Sequence, residues 1–141
     1  MSRISHVLET SALLAHYFDE PGARIVEGLW SDGSSRVAIS AVTVAELKGR
    51  LHQEVTDDAE AAKAADAYVN ELTTCLPVER ATAEMAWQLR QATADRLPLI
   101  DALIAATARM AGAVLVHKDA HMSKIPSRLV KQIVLSDKDE P

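Results

Sequence analysis

The stretch ISHVLETSALLA, residues 4–15, decides how this chain folds. A short apolar run over 4–8 ends at Glu9, and a helical pattern rich in Ala and Leu follows over 11–18. Thr10 and Ser11 stand where side chains cap a helix N-terminus. A strand that hands over to a helix in this way is half of a βαβ unit, and the pattern recurs along the chain. Further strands are expected at 37–40, 75–78, 113–116 and 132–135, and helices at 21–31, 43–54, 58–73, 80–95 and 98–111. Most of the strand runs are dominated by Ile, Val and Leu, as required where helices cover both faces of a parallel sheet. The expected fold class is therefore α/β, an α/β/α sandwich around a central parallel sheet of about five strands.

Local chemistry sharpens the boundaries. Pro21 suits the opening of the second helix and Pro98 the first turn of the sixth, while Gly112 suits a left-handed exit. Thr43 and Glu46 have capping-box spacing, with Ser40 as the competing cap one turn earlier. In the helix at 80–95, Ala83, Ala86, Trp87 and Arg90 share one side, so Trp87 is expected to face the sheet.

With 141 residues, the chain is large enough for one continuous core, expected to span 1–135. The acidic, polar tail SDKDEP at 136–141 is expected to be disordered. A net charge of −5 argues against a general nucleic-acid coating role, which needs clustered Lys and Arg. It leaves room for an enzyme that engages phosphates through metal ions. Cys75 is the one cysteine, so internal disulfides and cysteine zinc sites are excluded, and it is expected to be a buried strand residue in a reducing compartment. No apolar run approaches the roughly 18 residues of a membrane span. The opening MSRISHVLE reads as the start of a strand rather than a signal peptide, so a cytoplasmic setting is expected.

Four acids stand out against this background. Glu9 ends the first strand, Glu46 lies early in the helix after the second, Asp101 interrupts PLIDALIAA, and Asp119 follows AVLVHK. In an open parallel sheet the ligand crevice lies beyond the carboxyl ends of the strands, and all four belong to that end. Carboxylates brought together repel. Two unit charges about 5 Å apart cost roughly 3 kcal/mol at an effective dielectric of 20. A divalent cation relieves that cost, and oxygen-only ligands suit Mg²⁺ or Mn²⁺.

Each acid also has a local explanation. Glu46 pairs with Thr43 in a capping box, Asp101 complements a helix dipole, Asp119 caps a turn, and Glu9 is a solvated strand end. The apolar neighbours Leu99, Ile100, Ala102 and Leu103 speak against a plain capping role for Asp101. His117 and His121 flank Asp119, with His117 expected as a loop residue beside the pocket rather than a ligand. Lys118 and Arg90 are the first choices for phosphate contacts, ahead of Lys48, Arg50, Arg96 and Lys124. Tyr17, Phe18, Trp30, Leu51 and Val55 offer either an apolar groove for a partner helix or ordinary core or dimer surface.

The segments HVLETSALLA, ISAVTVAEL, LPLIDALIAATA and GAVLVHKD, in this order and spacing, resemble the four acidic motifs of the PIN domain, and within it the VapC-type toxins of bacterial toxin–antitoxin pairs. The resemblance runs from residue 4 to about 122. It implies a metal-dependent endoribonuclease that hydrolyses RNA phosphodiester bonds, with a structured RNA such as a tRNA as substrate. It also implies a VapB-like antitoxin that inhibits it, and a homodimer. Carried over by motif, the catalytic metal ligands are Glu9, Glu46, Asp101 and Asp119, supported by the Ser11 hydroxyl. The family's first acid is almost always Asp, and here it is Glu9. The longer side chain moves the oxygens outward by roughly 1 Å, a displacement that can cost about 10²-fold in rate. The alternative that follows is a catalytically impaired PIN scaffold acting mainly through protein binding. A phosphoacceptor receiver domain is disfavoured, because no strand ends in a lone acid paired with a Lys strand end.

Overall fold

A computed structural model describes residues 3–141. The elements run β1 (His6–Leu8), α1 (Thr10–Tyr17), α2 (Ala23–Ser31), β2 (Val37–Ser40), α3 (Ala41–Glu54), α4 (Asp58–Asp66), β3 (Thr74–Leu76), α5 (Arg80–Ala92), α6 (Leu99–Ala111), β4 (Val114–His117) and β5 (Gln132–Val134). The five strands form one all-parallel sheet in the order β3-β2-β1-β4-β5. The expected α/β/α architecture is what the chain adopts. Within it, the single helix expected at 58–73 is α4 followed by a π-helical turn at Ala67–Glu71.

Strand alternation builds two cores. Leu8, Ile39 and Val116 face one side, where they pack with Leu13, Val26, Leu47, Leu51, Ala61 and Tyr68 from α1 to α4 and the π turn. Val7, Ala38 and Leu115 face the other, against Ala86 and Leu89 of α5 and Ala102, Ile104 and Ala105 of α6. Leu51 and Val55 are buried in the first core, and Tyr17, Phe18 and Trp30 pack against it. Leu51 and Val55 are thus core, while Tyr17, Phe18 and Trp30 lie on its margin with part of their surface exposed.

Three local expectations change. Trp87 is 63% exposed, because the buried side of α5 is Thr82, Ala86 and Leu89, and Trp87 lies about 100° round the helix from Ala86. Cys75 is exposed because β3 is an edge strand with little covering it. Pro21 stands outside α2, whose N-cap is Gly22 at φ 100°; an added Cβ there would meet the Leu135 side chain at 3.0 Å. Gly112 closes α6 in the left-handed conformation at φ 66°, as expected. In the segment 136–141, Glu140 O accepts from Gly22 N–H at 3.0 Å, and Glu140 and Asp137 pair with Arg24 and Lys118.

The strand order places the site. From β1 the chain builds outward through β2 to β3, then crosses back to lay β4 on the other side of β1. The direction of winding therefore reverses between β1 and β4, and a crevice opens at their carboxyl ends. Leu8 pairs with Val116, so Glu9 and Asp119 emerge side by side at that point.

Candidate metal centre

Glu9 is the junction of β1 and α1. Its backbone N–H still donates to Val116 O at 3.0 Å, as a strand residue, while its side chain caps α1 by accepting from Ser11 N–H at 2.8 Å. Ser11 Oγ donates to the same Oε1 and accepts from Lys118 N–H at 2.8 Å, which locks the first strand end to the loop carrying Asp119. The cap is thus Glu9 itself, not Thr10 or Ser11. Thr10, the first residue of α1, instead donates to Glu46 Oε1 at 2.7 Å. Ser40 caps α3 by accepting from Val42 N–H, so the Thr43–Glu46 capping box does not form and Glu46 is free to face the crevice.

Asp101 sits in the first turn of α6, after Pro98 at the N-cap. Asp119 Oδ1 accepts from the backbone N–H groups of His121 (2.7 Å) and Met122 (3.1 Å), so its turn-capping role and its place at the crevice coexist. Glu9, Glu46, Asp101 and Asp119 line one cavity of about 360 Å³, together with Thr10 and Ser11. Ligand atoms of Asp101, Asp119 and His121 lie within 4.8 Å of one another. His121 thus joins the acids more closely than its sequence setting indicates.

The electrostatics follow from burial and crowding. Burial pushes the Glu9 carboxyl up to about 7; hydrogen bonds from Ser11 oppose the rise, and the charges of Asp119 and Asp101 add to it. Burial, then the negative charges of Asp119 and Glu46, push Asp101 up to about 6, against a smaller lowering by His121. Among the described residues, Arg50 is the one Lys or Arg lining the cavity, and its guanidinium is paired with Glu54 at 3.0 Å. Hard oxygen donors, raised carboxyl pKa values and a single lining cation that is paired with Glu54 rather than with the four acids fit a divalent cation of the Mg²⁺ or Mn²⁺ kind.

The remaining candidates sort differently. His117 is a fully buried residue at the end of β4, not a loop residue. Asp119 N–H donates to its Nδ1 at 3.0 Å, its Nε2 meets Gln132 Oε1 at 2.7 Å, and burial lowers its pKa. This arrangement holds a neutral ring and fixes the start of the Asp119 loop. Lys118 turns its Nζ to Pro21 O and Asp137, and Arg90 donates to Leu97 O between α5 and α6, away from the acids. The cation at the crevice is Arg50, which lies four residues after Glu46 on α3; that helical spacing was the available sequence signal.

Fold and site together define the class: an α/β/α domain with an acidic, oxygen-donor centre at the switch point of a parallel sheet. The chain belongs to the PIN-domain family, whose model matches residues 6–127 and whose members are generally nucleases. No curated protein sequence matches it. Among solved structures, VapBC2 from Rickettsia felis, bound to a promoter DNA fragment, is 17% identical with a TM-score of 0.75 over 94% of this chain and 100% of that one. VapBC-5 from Mycobacterium tuberculosis is 26% identical with a TM-score of 0.70, covering 93% and 98%. FitAcB from Neisseria gonorrhoeae is 21% identical with a TM-score of 0.70, covering 91% and 96%. The likeness to VapC-type PIN domains expected from the four motifs is thus matched in three dimensions. No helix among the described residues is long and apolar enough to cross a membrane.

Proposed function

We propose that this protein is a VapC-type toxin: a divalent-metal-dependent endoribonuclease held inactive by a VapB-like antitoxin. The observation that carries the reading is the gathering of Glu9, Glu46, Asp101 and Asp119 in one cavity at the β1–β4 switch point of a PIN domain. The partner assignment is supported by solved neighbours of the VapBC toxin–antitoxin kind, such as VapBC2 and VapBC-5. Exposed Trp87, Leu99 and Ile100, on α5 and the start of α6, offer apolar surface for a second copy of the chain in the proposed homodimer.

Mg²⁺ or Mn²⁺ bound in this site would supply water activation near neutral pH and charge stabilisation at the leaving oxygen of the phosphodiester. The chain's own residues set the geometry. Glu9, Asp101 and Asp119 would hold the ion, with Glu46 contributing from the α3 side. Ser11 fixes Glu9 Oε1 and the Lys118 backbone at once, so two ligand-bearing segments keep their separation. Thr10 fixes Glu46. The turn at His121 and Met122 orients Asp119 and leaves its second oxygen for the ion.

The test is cleavage of a structured RNA, such as a tRNA, in Mn²⁺ and in excess EDTA, by wild type and by Asp101→Asn. Cleavage is expected to need the metal and to fall by at least about 10²-fold in the variant. Cleavage that persists in EDTA, or in Asp101→Asn, rules out the metal-centre mechanism.

A further inference from the structure

The acid cavity continues along α3. Gly49, Arg50 and Gln53 line it together with Glu46, at spacings of three, four and seven residues that return to one side of a helix. Glu46 is the only acid of this stripe; the rest of it is bare backbone, a guanidinium and an amide.

Gly49 has no reason of its own within the fold. It lies inside a 14-residue helix, where glycine costs stability relative to alanine. It is exposed, its φ is not in the left-handed region, and a Cβ built there meets nothing within 4 Å. Glycine without a local need for it leaves room for the close approach of something outside the chain. Arg50 stands beside that gap. Its pairing with Glu54 is an exposed contact four residues along the same helix, the kind most readily exchanged for another anion. A guanidinium binds phosphate through two parallel hydrogen bonds.

We propose that this stripe is a track for the substrate's sugar–phosphate backbone. Arg50 holds a phosphate neighbouring the scissile one, Gly49 lets the strand lie against α3, and Gln53 donates its amide to the next backbone oxygen. This rests on the ribonuclease reading above. A helix rises 1.5 Å per residue, so Arg50 lies about 6 Å and Gln53 about 10 Å beyond Glu46 along the axis, which places them in order along a strand leaving the acids. The charge pattern agrees. Four carboxylates repel a polyanion, and the one cation lining the cavity among the described residues offers the electrostatic way in.

The experiment uses Mn²⁺-loaded full-length protein and three oligoribonucleotides with the same cleavage site. One is all-phosphate; in each of the other two a neutral methylphosphonate replaces the linkage neighbouring the cut, on one side or the other. Arg50→Ala is expected to raise KM about tenfold on the all-phosphate strand with kcat little changed, and Arg50→Lys to recover part of the loss. One methylphosphonate position should remove the difference between wild type and Arg50→Ala. Gly49→Leu should cut cleavage at least about tenfold while its melting temperature stays at or above that of wild type, because a leucine replaces an unneeded helix glycine. If Arg50→Ala and Gly49→Leu keep the wild-type KM, the track is wrong. A loss in Arg50→Ala that no methylphosphonate abolishes also rules it out. The anisotropy of a labelled oligoribonucleotide on non-cleaving Asp101→Asn, with and without Arg50→Ala, separates the two readings. Arg50-dependent binding without wild-type cleavage keeps the track and removes the ribonuclease reading, whereas binding indifferent to Arg50 removes the track.

Discussion

Thr10 Oγ1 donates to Glu46 Oε1 at 2.7 Å, joining the first residue of α1 to the α3 side of the acidic cavity. Thr10 is buried, and its hydroxyl is spent on this one contact rather than on capping its own helix. Replacing it by valine keeps the shape and removes the donor. Thr10→Val is expected to lower stability by about 1 kcal/mol. Metal-saturated cleavage should fall between several-fold and about 10²-fold, because an unanchored Glu46 leaves its position. Thr10→Ser should restore most of both. Thermal melts beside cleavage rates check this, and wild-type rates in Thr10→Val would show that the tether plays no part in the site.

Glu9 and Asp101 give the metal-free protein an unusual pH dependence. Their carboxyls titrate at about 7 and about 6 in the fold, above their ordinary values of 4.5 and 3.8. The folded state therefore holds more protons than the unfolded one across that interval. The stability they lend is full below the unfolded values and is lost as pH rises through about 6 and 7. His6 and His117 act oppositely: burial lowers both below 6.5, so the stability tied to their neutral form is lost as pH falls beneath that value. Between pH 6.5 and 8 the Glu9 effect stands nearly alone. The melting temperature of chelator-treated protein is expected to fall over that range, and Glu9→Gln should flatten the fall. Added Mn²⁺ favours the ionised carboxylates, so its stabilising effect should grow with pH. A metal-free melting temperature that rises from pH 6.5 to 8 would contradict this account of Glu9.

The strands were legible because both faces are buried, and apolar runs such as VAIS and VLVH read as continuous where an exposed sheet would alternate. Their spatial order was not, since it depends on register between segments far apart in the chain. For the same reason Cys75 gave no sign of lying on an edge strand. The acids were legible as motif positions, and the cavity does bring the four together. What holds them was hidden. Glu9 doubles as the cap of α1, its carboxylate accepting from Ser11 N–H, a role more often filled by a shorter acid such as Asp57 at α4. Trp87 was misplaced because a helical stripe of about 100° leaves one residue of uncertainty at its border, and small Ala86 took the inward position.

Thr43 is fully buried in α3, and its Oγ1 has no hydrogen-bond partner among the described residues. A buried hydroxyl without a partner keeps its desolvation cost and gains nothing in return. Thr43→Val replaces it by a methyl of the same shape, and stability is expected to rise by about 1 kcal/mol. Thr43→Ala removes the hydroxyl and leaves a small void, so it should gain less or lose. Denaturant midpoints at constant slope measure both. A Thr43→Val variant less stable than wild type would mean that the hydroxyl is bonded after all.

His121 bears on which ion the site prefers. Its ring nitrogen lies 3.6 Å from Asp119 Oδ1, and its ligand atom falls within 4.8 Å of those of Asp101 and Asp119. Both Mg²⁺ and Mn²⁺ take carboxylate oxygens, and of the two the softer Mn²⁺ accepts an imidazole nitrogen more readily. His121→Ala is therefore expected to weaken Mn²⁺ activation by about tenfold while changing the Mg²⁺ requirement by less than about threefold. His121→Gln, with an oxygen donor, should behave like the alanine variant toward Mn²⁺. The side chain is half exposed, so the fold should tolerate both changes with melting temperatures near wild type. Titration of cleavage against each ion gives the two apparent affinities. An unchanged ratio of Mn²⁺ to Mg²⁺ affinity in both variants would return His121 to the role of a neighbour that only steadies Asp119.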